Sequence, residues 1–440
     1  MTGINLQSQL RRNILSGSAT AAIGILVSIV AYPLYLYFLG AELYGLWALL
    51  NVVIFFSSIG NIGIDEAIIK YVAEEYEKKN MFGVITYIST GLTLLLINGI
   101  VIFIVLSLLK NHLPRLLNLD AIHAVLFHNL FLHIVFLSIF VLVVKYINAI
   151  LKGLGRFDQA SYILLIGRIG GVAFAIIFLM SGLSIWALYW GQVISFALVL
   201  IASSLLITHK IGFYYNPVRY KGRFLINLLT FGGTMTVSKV LAMLLEPFIK
   251  VTITRYIGLA EVAYFEIADK IVRQIRSMFE RGISAVMPEV SRLLATAGDA
   301  TERVFSVMKK LNRMNALVGG LLFLVLFVVA GPVLKLWLGA QYHPAIIVAF
   351  RIILVGYVFN LMSVPPYYFF MGGGRVIFCF LNHFIQALIN VCLVVTLVLL
   401  EAVTFDRVMI VYSCAVALSA IILMLMYHRT VKQQPLSDEQ

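Results

Sequence analysis

Charged residues are scarce in this chain. Asp, Glu, Lys and Arg together make up 12% of its 440 residues, whereas apolar residues make up 61%. Soluble globular proteins contain about 25% charged residues. This composition excludes a soluble fold and predicts an all-α polytopic membrane protein, because a helix satisfies its own backbone hydrogen bonds in lipid.

The chain also has few cysteines, and its sequence contains no recognisable enzyme motif. The three cysteines, Cys379, Cys392 and Cys414, all fall in apolar segments, and their odd number argues against a disulfide framework. No pair of histidines has metal-ligand spacing with a carboxylate, so we predict no metal site. The GGGR turn at 372–375 lacks the spacing of a phosphate-binding loop. We therefore expect no enzymatic activity, no cofactor and, since the net charge of +13 reflects membrane topology, no nucleic-acid partner.

Apolar runs long enough to cross a bilayer occur about twelve times. They cover 14–37, 44–64, 82–107, 122–145, 160–180, 184–207, 225–252, 259–284, 314–334, 344–370, 375–400 and 406–427. Lys and Arg residues between these runs concentrate on one side of the predicted membrane. The opposite side holds only five of them, Lys110, Arg115, Arg255, Lys335 and Arg407. This bias predicts that both termini are cytoplasmic.

The chain divides near its middle, at the basic connection 208–224. We predict an N-terminal six-helix bundle over 1–207, a cytoplasmic linker over 208–224 and a C-terminal six-helix bundle over 225–440. Two similar segments support this division, because FLGAELYG (38–45) and YIGLAEVAY (256–264) each follow the first helix of their half. Six helices per half give both bundles the same orientation, so we expect pseudo-two-fold symmetry around a central cavity.

Several basic side chains fall within the predicted spans. They are Arg168, Lys239, Lys250, Lys270, Arg273, Arg276, Arg281 and Arg351. A cation at this depth costs several kcal/mol unless it has a partner or lines a cavity. Their repeated use indicates a transporter of an anionic, lipidic substrate. The predicted substrate-binding residues are Lys270, Arg273, Lys239, Lys250, Arg168 and Arg276.

Acidic residues accompany these cations. Glu266 and Lys270, Asp269 and Arg273, and Arg276 and Glu280 are pairs at i and i+4 on one predicted helix. Two interpretations remain open: the pairs neutralise one another along a watery cleft, or the surplus positive charge binds an anion such as a diphosphate. The candidate ion-coupling groups are Asp269, Glu246 and Glu266.

Five other charged residues, Arg168, Arg351, Asp65, Glu66 and Arg281, also have two interpretations. Arg168 either binds substrate or donates hydrogen bonds to carbonyls at a helix interface, and Arg351 either lies at depth or reaches outward to the membrane surface. Asp65 and Glu66 are predicted to close the second helix at the cytoplasmic edge. With Arg281, at the matching end of the eighth helix, they form a candidate cytoplasmic gate, or else all three are solvated helix ends.

Two stretches of the first half, PLYLYFLGAELYGLWALL (33–50) and GNIGIDEAIIKYVAEEYEKKN (60–80), resemble the opening of prokaryotic oligosaccharide flippases, the Wzx-like branch of the MOP superfamily. The second half resembles the same family in TFGGTMTVSKVL (230–241), GLAEVAYFEIADKIV (258–272) and PEVSRLLATAGD (288–299). The resemblance covers essentially the whole chain. It implies a MATE/MOP-like fold in the cell inner membrane, with two bundles alternating about a central cationic cavity.

The resemblance also implies a function and partners. The substrate would be a polyprenyl-diphosphate-linked glycan, carried from the cytoplasmic to the outer leaflet for surface polysaccharide such as O-antigen, capsule or exopolysaccharide. A polysaccharide polymerase and glycosyltransferases are further candidate partners, together with the lipid bilayer. Two alternatives stay open: a small-molecule or multidrug antiporter of the same superfamily, and a membrane-embedded polymerase or ligase. The basic character of the predicted cavity opposes the first, and the short outward loops oppose the second.

Overall fold

The computed structural model describes residues 3–59, 63–211, 224–226, 228, 244–284 and 300–433, and within them the regular structure is helical, with no strand. The principal helices are α1 Gly3–Ile59, α2 Ile64–Glu77, α3 Met81–Leu109, α4 Leu113–Leu116, α5 Ala121–Gly153, α6 Phe157–Met180, α7 Ile185–Ile211, α8 244–256, α9 Leu259–Ser284, α10 Ala300–Met314, α11 Gly320–Leu338, α12 Pro344–Met362, α13 Val364–Gly372, α14 Val376–Leu399 and α15 Phe405–Gln433. The predicted all-α class is confirmed.

Nine stretches within the described residues are long and apolar enough to cross a membrane. They are Ala22–Phe55, Met81–Leu109, Ala121–Gly153, Phe157–Met180, Ile185–His209, Met308–Gln341, Pro344–Gly372, Val376–Leu399 and Phe405–Val431. The protein is therefore a multi-pass membrane protein.

The first of these stretches contains two predicted spans, because α1 consists of two helical pieces that meet at Gly40. The backbone of Gly40 has φ 73° and ψ 174°, a conformation that is essentially restricted to glycine. A second helix break, at Ile257 and Gly258, separates α8 from α9. Both breaks lie inside the two similar segments, at the helix boundaries that the sequence predicts.

The two remaining predicted spans are not among the nine. Residues 225–252 lie partly outside the described residues, although 244–252 are helical and belong to α8. Residues 259–284 correspond to α9, which is helical over its whole predicted length but carries many charged side chains. Its charges, rather than its length, set this helix apart from the apolar spans.

One boundary differs from the prediction. The predicted second span, 44–64, continues to a helix end formed by Asp65 and Glu66. In the structure α1 ends at Ile59, and Gly63, with φ 91°, precedes the new helix α2. Asp65 and Glu66 therefore open α2 instead of closing the helix before it, so their predicted position was wrong. Acidic side chains in a first turn interact favourably with the helix dipole.

The chain forms two compact units, Met1–Val240 and Leu241–Gln440. In the first unit, α6 and α7 approach closely because Gly171 and Gly191 face each other's backbone. In the second, Gly356 on α12 packs against Ser413 on α15, whose Oγ donates to the carbonyl of Ile352 at 2.6 Å. The predicted bundle limits, 1–207 and 225–440, stay predictions because residues 212–223 lie outside the described part of the chain.

Candidate functional site

The candidate site lies on α9, a helix with one apolar and one charged face. Val262, Phe265, Ala268 and Val272 recur at helical spacing and are fully buried. The opposite face carries basic side chains that remain partly exposed. A charged helix face within a membrane protein must meet water or a polar partner, because lipid cannot solvate it. This face is therefore the part of α9 that lines a polar environment.

Lys250 of α8 joins this face from the neighbouring helix. Its Nζ lies 2.5 Å from Glu246 Oε1 and 2.5 Å from Glu266 Oε2, and only 3% of its side chain is exposed. Glu266, which is 2% exposed, also forms an ion pair with Lys270. The buried lysine thus connects two glutamates on different helices, and each glutamate serves a further cation.

Arg273 continues the network in the other direction. Its Nη2 pairs with Glu246 on α8 and, at 2.6 Å, with Oδ2 of Asp269 on α9. The predicted i,i+4 pairs Glu266–Lys270 and Asp269–Arg273 are therefore confirmed. The three cations Lys250, Lys270 and Arg273 are matched by the three carboxylates of Glu246, Glu266 and Asp269.

Two tyrosines complete the network at Asp269. Tyr412 of α15 donates its hydroxyl to Asp269 Oδ1 at 2.7 Å, and the hydroxyls of Tyr412 and Tyr357 lie 3.1 Å apart. Because Tyr412 has a single hydroxyl proton, which goes to Asp269, Tyr357 of α12 is the donor between the two tyrosines. All three side chains are buried. The chain of polar groups thus runs through four helices, α8, α9, α15 and α12.

Arg276, one turn further along α9, belongs to a neighbouring group. Its Nη1 pairs with Oε2 of Glu280 at 2.7 Å, which confirms the third predicted i,i+4 pair. Tyr368 of α13 donates to the other oxygen of Glu280 at 3.2 Å. The predicted cation Arg276 is therefore neutralised within the second unit, as Lys250, Lys270 and Arg273 are.

The other predicted site residues are not part of this network. Lys239 lies outside the described residues. Arg168 is on α6 of the first unit and donates to Ser28. Arg351 of α12 donates to the carbonyl of Phe327 at 3.2 Å, and its two interpretations stay open. Asp65 and Glu66 belong to the first compact unit and Arg281, in the last turn of α9, to the second, so the predicted gate stays a prediction.

Sequence reasoning missed Tyr412 and Tyr357. The chain contains 21 tyrosines, and neither residue lies in a charged motif. Tyr412 is 143 positions from its partner Asp269. No local pattern connects residues so far apart, and only the packing of α12 and α15 against α9 brings them together.

Comparison with known proteins identifies a family and a fold. A family model described as "Polysaccharide biosynthesis protein" matches residues 37–347. Among solved structures, an inward-facing multidrug resistance MATE family transporter of the MOP superfamily is similar over 97% of this chain and 100% of its own, with a TM-score of 0.78 and 14% identity. A MOP superfamily transporter from Pyrococcus furiosus is similar over 96% of this chain and 95% of its own, with a TM-score of 0.65 and 15% identity.

These likenesses confirm the predicted MATE/MOP-like class, an all-α fold of two lobes. At such low identity the solved structures show the fold alone and leave the substrate open, because one fold can host different functions. No curated protein sequence matches this chain significantly.

Proposed function

This chain belongs to the polysaccharide biosynthesis protein family, and we propose that it is a flippase for a polyprenyl-diphosphate-linked oligosaccharide. It would move this lipid from the cytoplasmic to the outer leaflet of the cell inner membrane by alternating access. Glycosyltransferases would supply the substrate, and a polysaccharide polymerase would use the exported unit. The family match and the transporter fold support this proposal, and the charged face of α9 supports an anionic substrate.

The observation that carries the proposal is a difference in solvent exposure between the cations of α9 and the carboxylates with which they pair. The side chains of Lys270 and Arg273 are 39% and 35% exposed. Their partners Glu266 and Asp269 are 2% and 0% exposed. In these two pairs on α9 the cations are therefore outermost and the carboxylates lie beneath them, whereas on α8 Lys250 is 3% and Glu246 23% exposed. Although the network is neutral in total, an approaching ligand meets cations first, which suits a diphosphate.

The buried carboxylates have a role in this arrangement, because they hold the cations in place before substrate arrives. A diphosphate can accept two parallel hydrogen bonds from Arg273 and a single charged contact from Lys270. When these two groups turn to the ligand, Lys250 remains between Glu246 and Glu266. It thus continues to compensate both glutamates, so ligand binding leaves neither of them without a buried counterion.

The network also distinguishes among the three predicted coupling carboxylates. Within the described residues, Glu246 and Glu266 each pair with two cations, whereas Asp269 pairs with one, Arg273, which it shares with Glu246. Among the described residues, the charged or titratable groups around Asp269 are Arg273, Glu246, Glu266, Tyr412 and Tyr357. Asp269 is thus the least compensated carboxylate, and we assign proton coupling to it. Its protonation would release Arg273 towards an anionic ligand.

A multidrug antiporter is the second candidate, because one of the similar solved structures is a multidrug resistance MATE family transporter. A site for cationic drugs needs exposed carboxylates. On α9 the carboxylates nearest the network's centre, Glu266 and Asp269, are buried beneath cations instead. The charge order therefore favours the anionic substrate over a cationic one.

A translocation assay in vesicles tests the proposal. The purified protein is reconstituted with a fluorescent isoprenoid-diphosphate oligosaccharide, and a membrane-impermeant reductant bleaches the outer leaflet. The wild type should make the inner-leaflet probe accessible, and a variant with both Lys270→Ala and Arg273→Ala should not. Arg407→Ala is the matched control, because Arg407 is exposed and donates only to the carbonyl of Ala402 among its described contacts. Translocation by the double variant at the wild-type rate would refute the assignment.

A further inference from the structure

Arg168 lies in the middle of α6, one of the apolar spans of the first compact unit. The side chain is exposed on the surface of the structure, although the helix on which it lies is long and apolar enough to cross a membrane. A guanidinium at this position is costly in lipid and does not lose its proton. Its surroundings therefore have to explain how the charge is stabilised.

The structure holds the guanidinium against α1. Arg168 Nη2 donates to Ser28 Oγ at 2.6 Å, and Ser28 Oγ in turn donates to the carbonyl of Gly24 at 3.2 Å. Gly24 also provides the space, because a Cβ atom at this position would lie 2.7 Å from Arg168 Nη1. Ser28 and Gly24 are one helical turn apart, so a small face of α1 fixes the orientation of the arginine.

The charge of Arg168 is not neutralised by protein carboxylates in the part of the chain that the structure describes. Its partners there are hydroxyl groups: Ser28 by the hydrogen bond, and Tyr32 and Tyr35 by electrostatic proximity. In the second unit, by contrast, Lys250, Lys270, Arg273 and Arg276 all pair with carboxylates. A guanidinium has five N–H donors, and Ser28 accepts only one of them. Arg168 thus keeps both its charge and several donors for a ligand.

We propose that Arg168, oriented by Ser28 and Gly24, is an oxyanion-binding site of the first unit. Its ligand is the diphosphate of an isoprenoid lipid. The planar guanidinium can hold two phosphate oxygens at once. The identity of this ligand rests on the proposed function, whereas the presence of an anion site rests on the uncompensated charge.

A binding measurement on the purified full-length protein in nanodiscs tests the site. The probes are farnesyl diphosphate, inorganic pyrophosphate and uncharged farnesol. Arg168→Gln should weaken farnesyl diphosphate binding by about tenfold or more, a loss expected for a charge-assisted bidentate contact. It should leave farnesol binding unchanged. Unchanged diphosphate binding by a folded Arg168→Gln variant would overturn the proposal.

Two further variants separate a ligand contact from a structural role. Gly24→Ala keeps the charge of Arg168 but displaces its guanidinium, so this variant should also weaken diphosphate binding. If Arg168→Gln does not fold, Gly24→Ala tests the same site without removing the arginine. Arg351→Gln is the matched control, because that arginine donates to a backbone carbonyl and stacks on Phe327. If Gly24→Ala and Arg351→Gln behave alike, the proposed site is wrong.

The probes also separate the lipid from a free anion. Arg168-dependent binding of farnesyl diphosphate that is much tighter than that of pyrophosphate supports the lipid diphosphate. Equal binding of both probes would refute the lipid as ligand while supporting an oxyanion site. The proposed function can fail independently: Arg168-dependent binding without translocation in vesicles would retain the site and reject the flippase. Translocation that is insensitive to both Arg168→Gln and Gly24→Ala would reject the site and retain the flippase.

Discussion

Nζ of Lys250 lies 2.5 Å from Oε2 of Glu266, and this pair joins α8 to α9 with both side chains almost fully buried. An ion pair in such a place has a large desolvation cost, which is offset only when both partners are present. The pair therefore adds little net stability to the fold. Loss of either member, however, destabilises the fold strongly, because the other charge stays buried without its partner. It connects the two helices that carry the rest of the network.

Removing Lys250 should therefore destabilise the second unit strongly. Lys250→Ala leaves the buried carboxylate of Glu266 and the partly buried carboxylate of Glu246 with one cation fewer. Loss of one member of a buried pair typically costs about 3–5 kcal/mol. Thermal unfolding in detergent should show a clearly lower midpoint for Lys250→Ala and an unchanged one for Lys335→Ala, a lysine that is exposed at the end of α11.

A double variant checks the cause of this loss. Lys250→Met combined with Glu266→Gln removes both charges of the pair and should recover part of the stability. If the double variant is as unstable as the sum of the two single variants, packing rather than charge explains the effect.

Gly40 provides a test of the break in α1. Its φ of 73° and ψ of 174° are unfavourable for any residue with a Cβ, although no atom lies within 4 Å of the place where a Cβ would be. Gly40→Ala should cost about 1–3 kcal/mol through backbone strain alone. Gly320→Ala is the control, because Gly320 has helical dihedral angles and an ordinary contact at 3.9 Å. Equal unfolding midpoints for the two variants would show that the backbone at Gly40 is not strained.

Proton coupling at Asp269 predicts how anion binding depends on pH. Protonation of Asp269 leaves Arg273 paired with Glu246 alone, so farnesyl diphosphate should bind more tightly as pH falls from about 8 to about 5, with net proton uptake. Calorimetry in buffers of different ionisation enthalpy measures this uptake. Asp269→Asn should take up about one proton fewer than the wild type. Equal uptake would rule out Asp269 as the proton site.

Tyr412→Phe refines this test. The variant removes the hydroxyl that donates to ionised Asp269 at 2.7 Å. A hydrogen bond to a charged acceptor is roughly twice as strong as one between neutral groups, so the ionised form loses more than the protonated form. The midpoint of the pH dependence should move to higher pH. A midpoint that stays in place or moves to lower pH would show that Tyr412 does not stabilise the ionised carboxylate.

The distribution of Lys and Arg predicts that both termini are cytoplasmic. Reporter fusions after Asn216 and at Gln440 should both give cytoplasmic signals, with a fusion after Asn118 in the connection before α5 as the extracytoplasmic control. An extracytoplasmic signal at either position would show that part of the predicted topology is inverted.

Much of the architecture could be predicted from local sequence, because membrane spans depend mainly on composition and length. The break at Gly40 and the boundary at Gly258 lie where the two similar segments place them. The end of the second span was misjudged, since the apolar pattern continues to Ile64, whereas Gly63 precedes a new helix that begins at Ile64. A hydropathy pattern records which residues avoid water and does not show a change of backbone direction.

The same distinction holds for the site. The sequence by itself determined which charges share a helix face, so the pairs Glu266–Lys270, Asp269–Arg273 and Arg276–Glu280 follow from helical spacing alone. It also determined that cations lie in apolar surroundings. It left open whether those cations were neutralised, since the pairs within a helix account for only part of the network.

Only the tertiary structure decided how each cation is compensated. Helix packing places Glu246 beside Arg273 and Tyr412 beside Asp269, across separations of 27 and 143 residues. It places Arg168 beside the hydroxyl of Ser28, 140 residues away, rather than beside a carboxylate. Electrostatic interactions depend on distance in space, and distances between helices are set by side-chain packing that no local pattern encodes.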